Sequence, residues 1–428
     1  MGHSAQCCAD AREHPRAFAI YRKTMKDGKV ALEAVQQAAQ HYGTNLPAVQ
    51  DTEFETFTKS VARPISHQTK EEGDTLAFAA RDVSGLLTPY RFSRRATGPR
   101  DVRVQVLYCG ICHSDLHTIK SEWGAANYPV APGHEIVGIV TEVGSEVTKF
   151  HVGDRAAVGC MVDSCGKCRE CEEGSEQYCR ERATFTYNSP ARDASEAGTF
   201  TQGGYTTQIV VREDFVLRFP EKLDLAAGAP LLCAGITTYS PLVHFGLNKP
   251  GLRIGVLGLG GLGHMAIKFA KAFGAVVTVI STSLHKREEA LGVLGADRFV
   301  LSSDAAAMAA AELSLDAIVD TVAAQHDLNE YAKLLDLDGT LVIVGVPPEP
   351  LPLRTGSLVH KRRRLAGSLI GGIRETQEML DFCAEHDITC QIELIGVDDV
   401  NVAMDRLVKN DVKYRFVLDI AKTLVASD

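Results

Sequence analysis

Cys165, Cys168 and Cys171 stand three residues apart and Cys179 follows closely, so four thiols crowd into one short stretch. Thiolates at this spacing can close a tetrahedron around zinc, and because all four positions are filled such an ion is structural, with no place left for a substrate. A redox role for the C-x-x-C pairs and a nucleic-acid-binding zinc module are the competing readings. Glu170, Glu172 and Glu173 around the cysteines speak against the second. Cys112, His134 and Cys233 are also metal-capable, but they lie far apart and spacing alone does not join them. A lone buried cysteine is more often a small hydrophobe than a ligand.

A second kind of chemistry is written in glycine. The apolar run Arg253 to Leu257 leads into Gly258-Leu259-Gly260-Gly261-Leu262-Gly263, and a helical pattern follows. In a strand-loop-helix setting the first glycine permits the tight turn, the second lets the backbone approach a pyrophosphate, and the third lets helix pack on strand. The next strand, Val276 to Ile280, ends in Ser281-Thr282-Ser283, then His285, Lys286 and Arg287, where an NAD enzyme usually has a carboxylate for the ribose hydroxyl. Hydroxyls and cations without an acid suit a 2'-phosphate, so NADP(H) is expected. The plainer alternative is that Lys286 and Arg287 are the solvated face of the next helix.

The elements that must position these residues divide the chain. Residues 1–73 read as an extension, helical around Val30 to Tyr42 or partly disordered, with acids throughout that do not suit a transit peptide. Met1-Gly2 with Cys7-Cys8 hints at lipidation, but Gln6 stands where a myristoylation signal wants Ser or Thr. Residues 74–232 carry short alternating apolar runs such as Val102 to Val106 and Ile136 to Val143, the pattern of a mainly β domain. Residues 233–371 alternate strands with helices, including Lys286 to Leu294 as a helix and Leu341 to Gly345 as a strand, which predicts a doubly wound parallel sheet. Residues 372–428 are expected to return to the β domain, with a helix near Glu375 to His386 and a strand near Tyr414 to Leu418.

At 428 residues and 45% hydrophobic content the chain can bury more than one core. A net charge of -9 offers nothing to nucleic acid or anionic membranes. Twelve cysteines without a signal peptide point to metal binding and buried thiols in a reducing compartment, so a cytoplasmic protein without membrane segments is expected.

The four-cysteine loop, Gly133-His134-Glu135, Leu231-Leu232-Cys233-Ala234-Gly235 and the glycine loop occur together and in order, and in this the run from Thr75 to Ala421 resembles the zinc-containing medium-chain alcohol dehydrogenases. Cys112-His113-Ser114-Asp115-Leu116-His117, Ser281-Thr282-Ser283 and Asp411 to Phe416 are similar to the cinnamyl alcohol dehydrogenase branch with its NADPH aldehyde reductases. The resemblance implies an α/β two-domain fold: a GroES-like mainly β catalytic domain with both zinc sites, and a Rossmann domain. It implies two zincs per chain, with catalytic zinc on Cys112, His134 and Cys233 and Glu135 as a nearby carboxylate able to coordinate when substrate is absent. Ser114 would bond the substrate oxygen, His117 would carry the proton on, and Glu122 stands where the family often has Asp at the outer end of that path. Cofactor contacts carried over are Ser114, Thr237, Gly258 to Gly263 with Leu259, Gly260, Gly261 and Leu262, Ser281, Thr282, Ser283, Lys286, Thr321, Gly345, Ser368, Leu369 and Ile370.

Trp123 and Phe185 are the residues expected at a substrate pocket, with core packing as the alternative; Leu369 stands where plant lignin-type members have Phe. A homodimer acting on a small aldehyde or alcohol is expected. The reaction implied is reversible NADPH-dependent reduction of aliphatic or aromatic aldehydes to primary alcohols. An NAD-dependent polyol dehydrogenase on the same scaffold, and a non-catalytic zinc- and nucleotide-binding protein, are the alternatives.

Overall fold

The structure is a computed structural model that describes residues 72–347 and 349–425; the expectations for the N-terminal extension, lipidation included, lie outside the described residues. Alternating apolar runs form nine strands in the first part: β1 (Thr75–Ala80), β2 (Leu87–Phe92), β3 (Asp101–Ile111), β4 (Ile136–Val143), β5 (Arg155–Val158), β6 (Met161–Asp163), β7 (Thr184–Phe185), β8 (Gln208–Arg212) and β9 (Leu217–Arg218). The long β3 organises this part. It pairs β4 along one edge, while its other edge takes β8 at Asp101 to Gln105 and a C-terminal strand at Tyr108 to Ile111.

The second part holds β10 (Arg253–Leu257), β11 (Val276–Ser281), β12 (Arg298–Leu301), β13 (Leu315–Asp320), β14 (Leu335–Ile343) and β15 (Arg364–Gly367), all parallel in the order β12-β11-β10-β13-β14-β15. This doubly wound sheet is covered on both faces, which is why its central strands are nearly continuous apolar runs: Ile254, Val256, Val277, Val279 and Ile318 are fully buried. Sheets of this crossover order take ligands at the carboxyl ends of their strands.

The chain then returns. β16 (Ile392–Ile395) and β17 (Arg415–Asp419) join the sheet of β3, with Phe416 opposite Ile111, giving the order β16-β17-β3-β4-β5-β9 with β8 also on β3. Helix α1 (His113–Ile119) follows β3 directly, α2 (Ala234–His244) opens the second part, α3 (Gly263–Ala272) follows the glycine loop and α4 (Ile373–His386) starts the return. The buried residues of α4 are Thr376, Met379, Leu380 and Cys383, one stripe at helical spacing. That stripe lies against α2, where the Cβ of any residue replacing Gly235 would meet Met379 Sδ at 3.3 Å. Tyr239, Phe269 and Phe382 tie α2, α3 and α4 together, with ring centroids 5.3 to 6.3 Å apart.

Two local expectations change in detail. The helix expected over Lys286 to Leu294 begins as a 3-10 turn at Leu284–Lys286 and ends in a π turn at Glu289–Val293, where Gly292 weakens regular helix and Gly295 (φ +71°) ends it. The strand expected from Leu341 begins earlier, because Leu335 already pairs with Leu315 before a kink at Asp338 (φ +63°) and Gly339.

The glycine loop shows why its glycines are not equivalent. A Cβ on Gly263 would sit 2.2 Å from the Gly258 carbonyl oxygen, whereas a Cβ on Gly260 meets nothing within 4 Å. Gly263→Ala is therefore expected to lower stability by about 1–3 kcal/mol through overpacking, and Gly260→Ala to change it by less than about 0.5 kcal/mol. Urea denaturation of the two variants checks this; equal effects would contradict it.

Candidate active site and metal centres

Three strand ends bring the dispersed residues together. Cys112 follows the last residue of β3, His134 and Glu135 precede β4, and Arg415 opens β17 beside them. Gly110 N–H donates to the Glu135 carbonyl at 3.0 Å, and a Cβ at Gly110 would collide with Glu135 Oε2, so this crossing requires glycine. Cys233, at the N-terminus of α2, completes the set from the second part of the chain. Ligand atoms of Cys112, His134, Glu135 and Cys233 all lie within 4.8 Å of one another, and all four residues are buried.

Asp115 fixes this arrangement, and sequence reasoning gave it no role. It is fully buried and accepts four hydrogen bonds: from Cys112 N–H (2.9 Å), Gly133 N–H (3.0 Å), His134 Nδ1 (3.2 Å) and Tyr205 Oη (3.1 Å). The first closes a capping box that starts α1, and the third leaves Nε2 of His134 free for a metal. An acid three residues after Cys112, at the head of a short helix, was the available signal.

The electrostatics suit a cation. Burial works against a charged His134, but Asp115 and the neighbouring thiols outweigh it and hold its pKa well above the ordinary range. Cys112 and Cys233 lie 3.9 Å apart: the bond from Cys233 pushes the Cys112 thiol well down, and the same contact, with Cys160 beside it, pushes Cys233 well up. Burial raises the Glu135 carboxyl to about 7 against the pull of Arg415, whose guanidinium hydrogen-bonds Glu135 Oε1. Glu135 Oε2 and Arg415 Nε are buried without a hydrogen-bond partner. A divalent cation would hold both thiols and Glu135 in their charged forms and displace the imidazole proton.

The second cluster is local. Sγ atoms of Cys165 and Cys171 are 3.9 Å apart and those of Cys168 and Cys171 3.5 Å, and the ligand atoms of all four cysteines lie within 4.8 Å of one another. The backbone N–H of Cys168 donates to Cys165 Sγ and that of Cys165 to Cys179 Sγ, which favours thiolates. Backbone donation, first from Lys167, lowers the Cys165 thiol to about 7.

The other expected residues fall around these centres. Ser114 and His117 stand three apart on α1, with Ser114 Oγ 3.6 Å from Cys112 Sγ and His117 Nδ1 2.6 Å from Glu122 Oε2. Trp123 stacks on His117 at 4.6 Å and is 52% exposed, so it is no core residue. Phe185 is also exposed, and the ring that reaches His134 is Tyr187, at 5.6 Å. Gly258, Thr321 and Gly345 meet at the carboxyl ends of β10, β13 and β14, where Thr321 Oγ1 donates to the Leu257 carbonyl. Ser368 follows β15 there, with its N–H on the Ile343 carbonyl. Thr237 is buried one turn after Cys233. Ser281 is buried at the end of β11, and Lys286 Nζ donates to the Leu259 carbonyl at 2.8 Å, so Lys286 turns inward to the glycine loop and is not a purely solvated residue. Thr282, His285 and Arg287 are exposed and Ser283 half-buried beside it.

If Asp115 orients the metal-ligating imidazole, Asp115→Asn should weaken zinc at that cluster by about 10–100-fold. Titration with a graded chelator should then release one zinc early and retain the one held by four cysteines; identical release curves for variant and wild type would contradict the assignment.

Comparison with known proteins agrees with this geometry. Residues 98–221 match the alcohol dehydrogenase GroES-like domain and residues 261–385 the zinc-binding dehydrogenase domain. The chain is 56% identical to vomilenine reductase of Rauvolfia serpentina, over 84% of this chain and 99% of that protein. It is also 56% identical to mannitol dehydrogenase of Apium graveolens, over 84% and 96%. A cinnamyl alcohol dehydrogenase from Sorghum bicolor superimposes with a TM-score of 0.80 at 52% identity, covering 83% of this chain and all of that one. The Helicobacter pylori enzyme solved with NADP(H) gives 0.75 at 42%, covering 82% and 99%. The chain belongs to the zinc-containing medium-chain alcohol dehydrogenases, in their cinnamyl alcohol dehydrogenase branch.

Proposed function

We propose that this chain reduces aldehydes to primary alcohols with NADPH, reversibly, at the cluster of Cys112, His134 and Cys233. One observation carries the reading: the buried cluster offers three thiol and imidazole ligands plus a carboxylate, whereas the second cluster offers four thiols. A fourth ligand that is a carboxylate, tied at one oxygen to Arg415, can give way to a substrate oxygen; a fourth thiolate does not. Zinc, when bound there, would supply Lewis-acid polarisation of the carbonyl. A nicotinamide cofactor, when bound, would supply the hydride.

The chain's own residues do the rest. Ser114, beside Cys112, is placed to donate to the substrate oxygen as negative charge develops on it, and His117 lies on the same face of α1 to pass a proton inward. Glu122, half-exposed and bonded to His117, connects that imidazole with solvent and holds its tautomer. The open space over Gly260 leaves room for a pyrophosphate, and the buried Ser281 with the inward Lys286 offers a hydroxyl and a cation, with no carboxylate, to a 2'-phosphate. That absence also disfavours the NAD-dependent polyol reading. The residues of an open metal site disfavour a non-catalytic binder.

His134→Ala should abolish aldehyde reduction while NADPH binding, followed by fluorescence, stays within a fewfold of wild type. Near-normal turnover would leave only the fold in common with the family. Ser281→Asp should lower kcat/KM with NADPH at least about tenfold relative to NADH, about 1.4 kcal/mol or more, since a carboxylate repels the phosphate. An unchanged ratio would show that the ribose lies elsewhere.

A further inference from the structure

The four-cysteine loop grips the segment that carries the chain back from the parallel sheet. Leu369 N–H donates to Tyr178 Oη at 3.1 Å, Ile373 N–H donates to Glu176 Oε2 at 3.0 Å, and Arg374 Nη2 donates to the Glu173 carbonyl at 2.7 Å. Between them the backbones touch: a Cβ on Gly372 would sit 1.9 Å from the Gly174 carbonyl oxygen. Glu176 and Tyr178 form a 3-10 turn that runs straight into Cys179, so a metal on the four thiols would fix the turn that makes two of these bonds.

The gripped segment is strained. Ile370 has φ +38°, a conformation a β-branched residue avoids, and it persists only where the surroundings impose it. Here Leu369 and Ile373 are held on either side of it. Ile370 is buried and lines one small cavity together with Cys160, Leu232 and Ile236, while Ser368 and Leu369 stay at the carboxyl edge of the sheet.

We propose that the four-cysteine loop sets nucleotide affinity, with Tyr178 and Glu176 as positioning residues that hold residues 368–373 in their strained, cofactor-facing shape. The structural cluster thereby acts on the cofactor site without touching the cofactor. Loss of either acceptor lets the segment relax, and binding must then restore the shape at the expense of affinity. This rests on the NADPH reading given above.

The test uses the full zinc-loaded protein. Tyr178→Phe and Glu176→Ala should each weaken binding of NADPH about two- to tenfold, the range that one such hydrogen bond supports. KM for the nucleotide should rise with kcat little changed. Amide hydrogen exchange in the free protein should quicken across 368–374 and stay unchanged in the glycine loop. Glu176→Gln, which keeps an acceptor, should restore most of the affinity, and Arg180→Gln, which breaks only the exposed pair with Glu170 in the same loop, should match wild type. Unchanged affinity in both Tyr178→Phe and Glu176→Ala overturns the proposal, whether or not exchange quickens, and leaves the cofactor reading standing. A wild type that binds neither NADPH nor NADH removes the cofactor reading and this proposal with it.

Discussion

One buried carboxylate holds the active centre in register. Asp115 is fully buried, and four donors from three separate segments, the His134 imidazole among them, compensate its burial. Through those bonds it starts α1, fixes the turn before His134, orients the imidazole and anchors Tyr205. Deleting any one partner disturbs the others, because a fully buried network tolerates incomplete satisfaction badly. Ligand geometry, helix start and strand register are thus one constraint seen from three sides.

Around that centre the chain closes on itself. The C-terminal return lays β17 on β3, which sets Arg415 against Glu135 on one side and against the glycine loop on the other, where a Cβ at Gly261 would lie 3.0 Å from its guanidinium. A single buried cation therefore links the Glu135 carboxylate with the glycine loop. The four-cysteine loop grips the outgoing crossing at 369–374, so that passage is braced by residues belonging to the mainly β part.

How much of this the sequence disclosed depended on how local each feature was. The four cysteines and the glycine loop are local, so spacing alone picked them out. The parallel sheet announced itself through apolar runs buried on both faces. Cys112, His134 and Cys233 meet only through the register of β3 with β4 and the entry to α2, and the family resemblance, not periodicity, joined them. Asp115 was hidden because a bridging carboxylate has no motif of its own. Arg415 was hidden because it sits 280 residues from Glu135, a separation only the folded sheet removes. The left-handed Ile370 is a response to tertiary packing that local propensity does not encode.

The central claim is that the chain builds two chemically different zinc centres, one saturated with thiolates and one with an exchangeable oxygen position. Zinc K-edge X-ray absorption on the metal-loaded protein tests it directly. Six thiolates shared by two ions, as the two clusters provide, predict a mean of three sulfur ligands per zinc, at about 2.3 Å, with a nitrogen and oxygen shell at about 2.0–2.2 Å. A mean of four sulfurs with no nitrogen or oxygen shell would mean that only the four-cysteine loop holds metal, and would contradict the account.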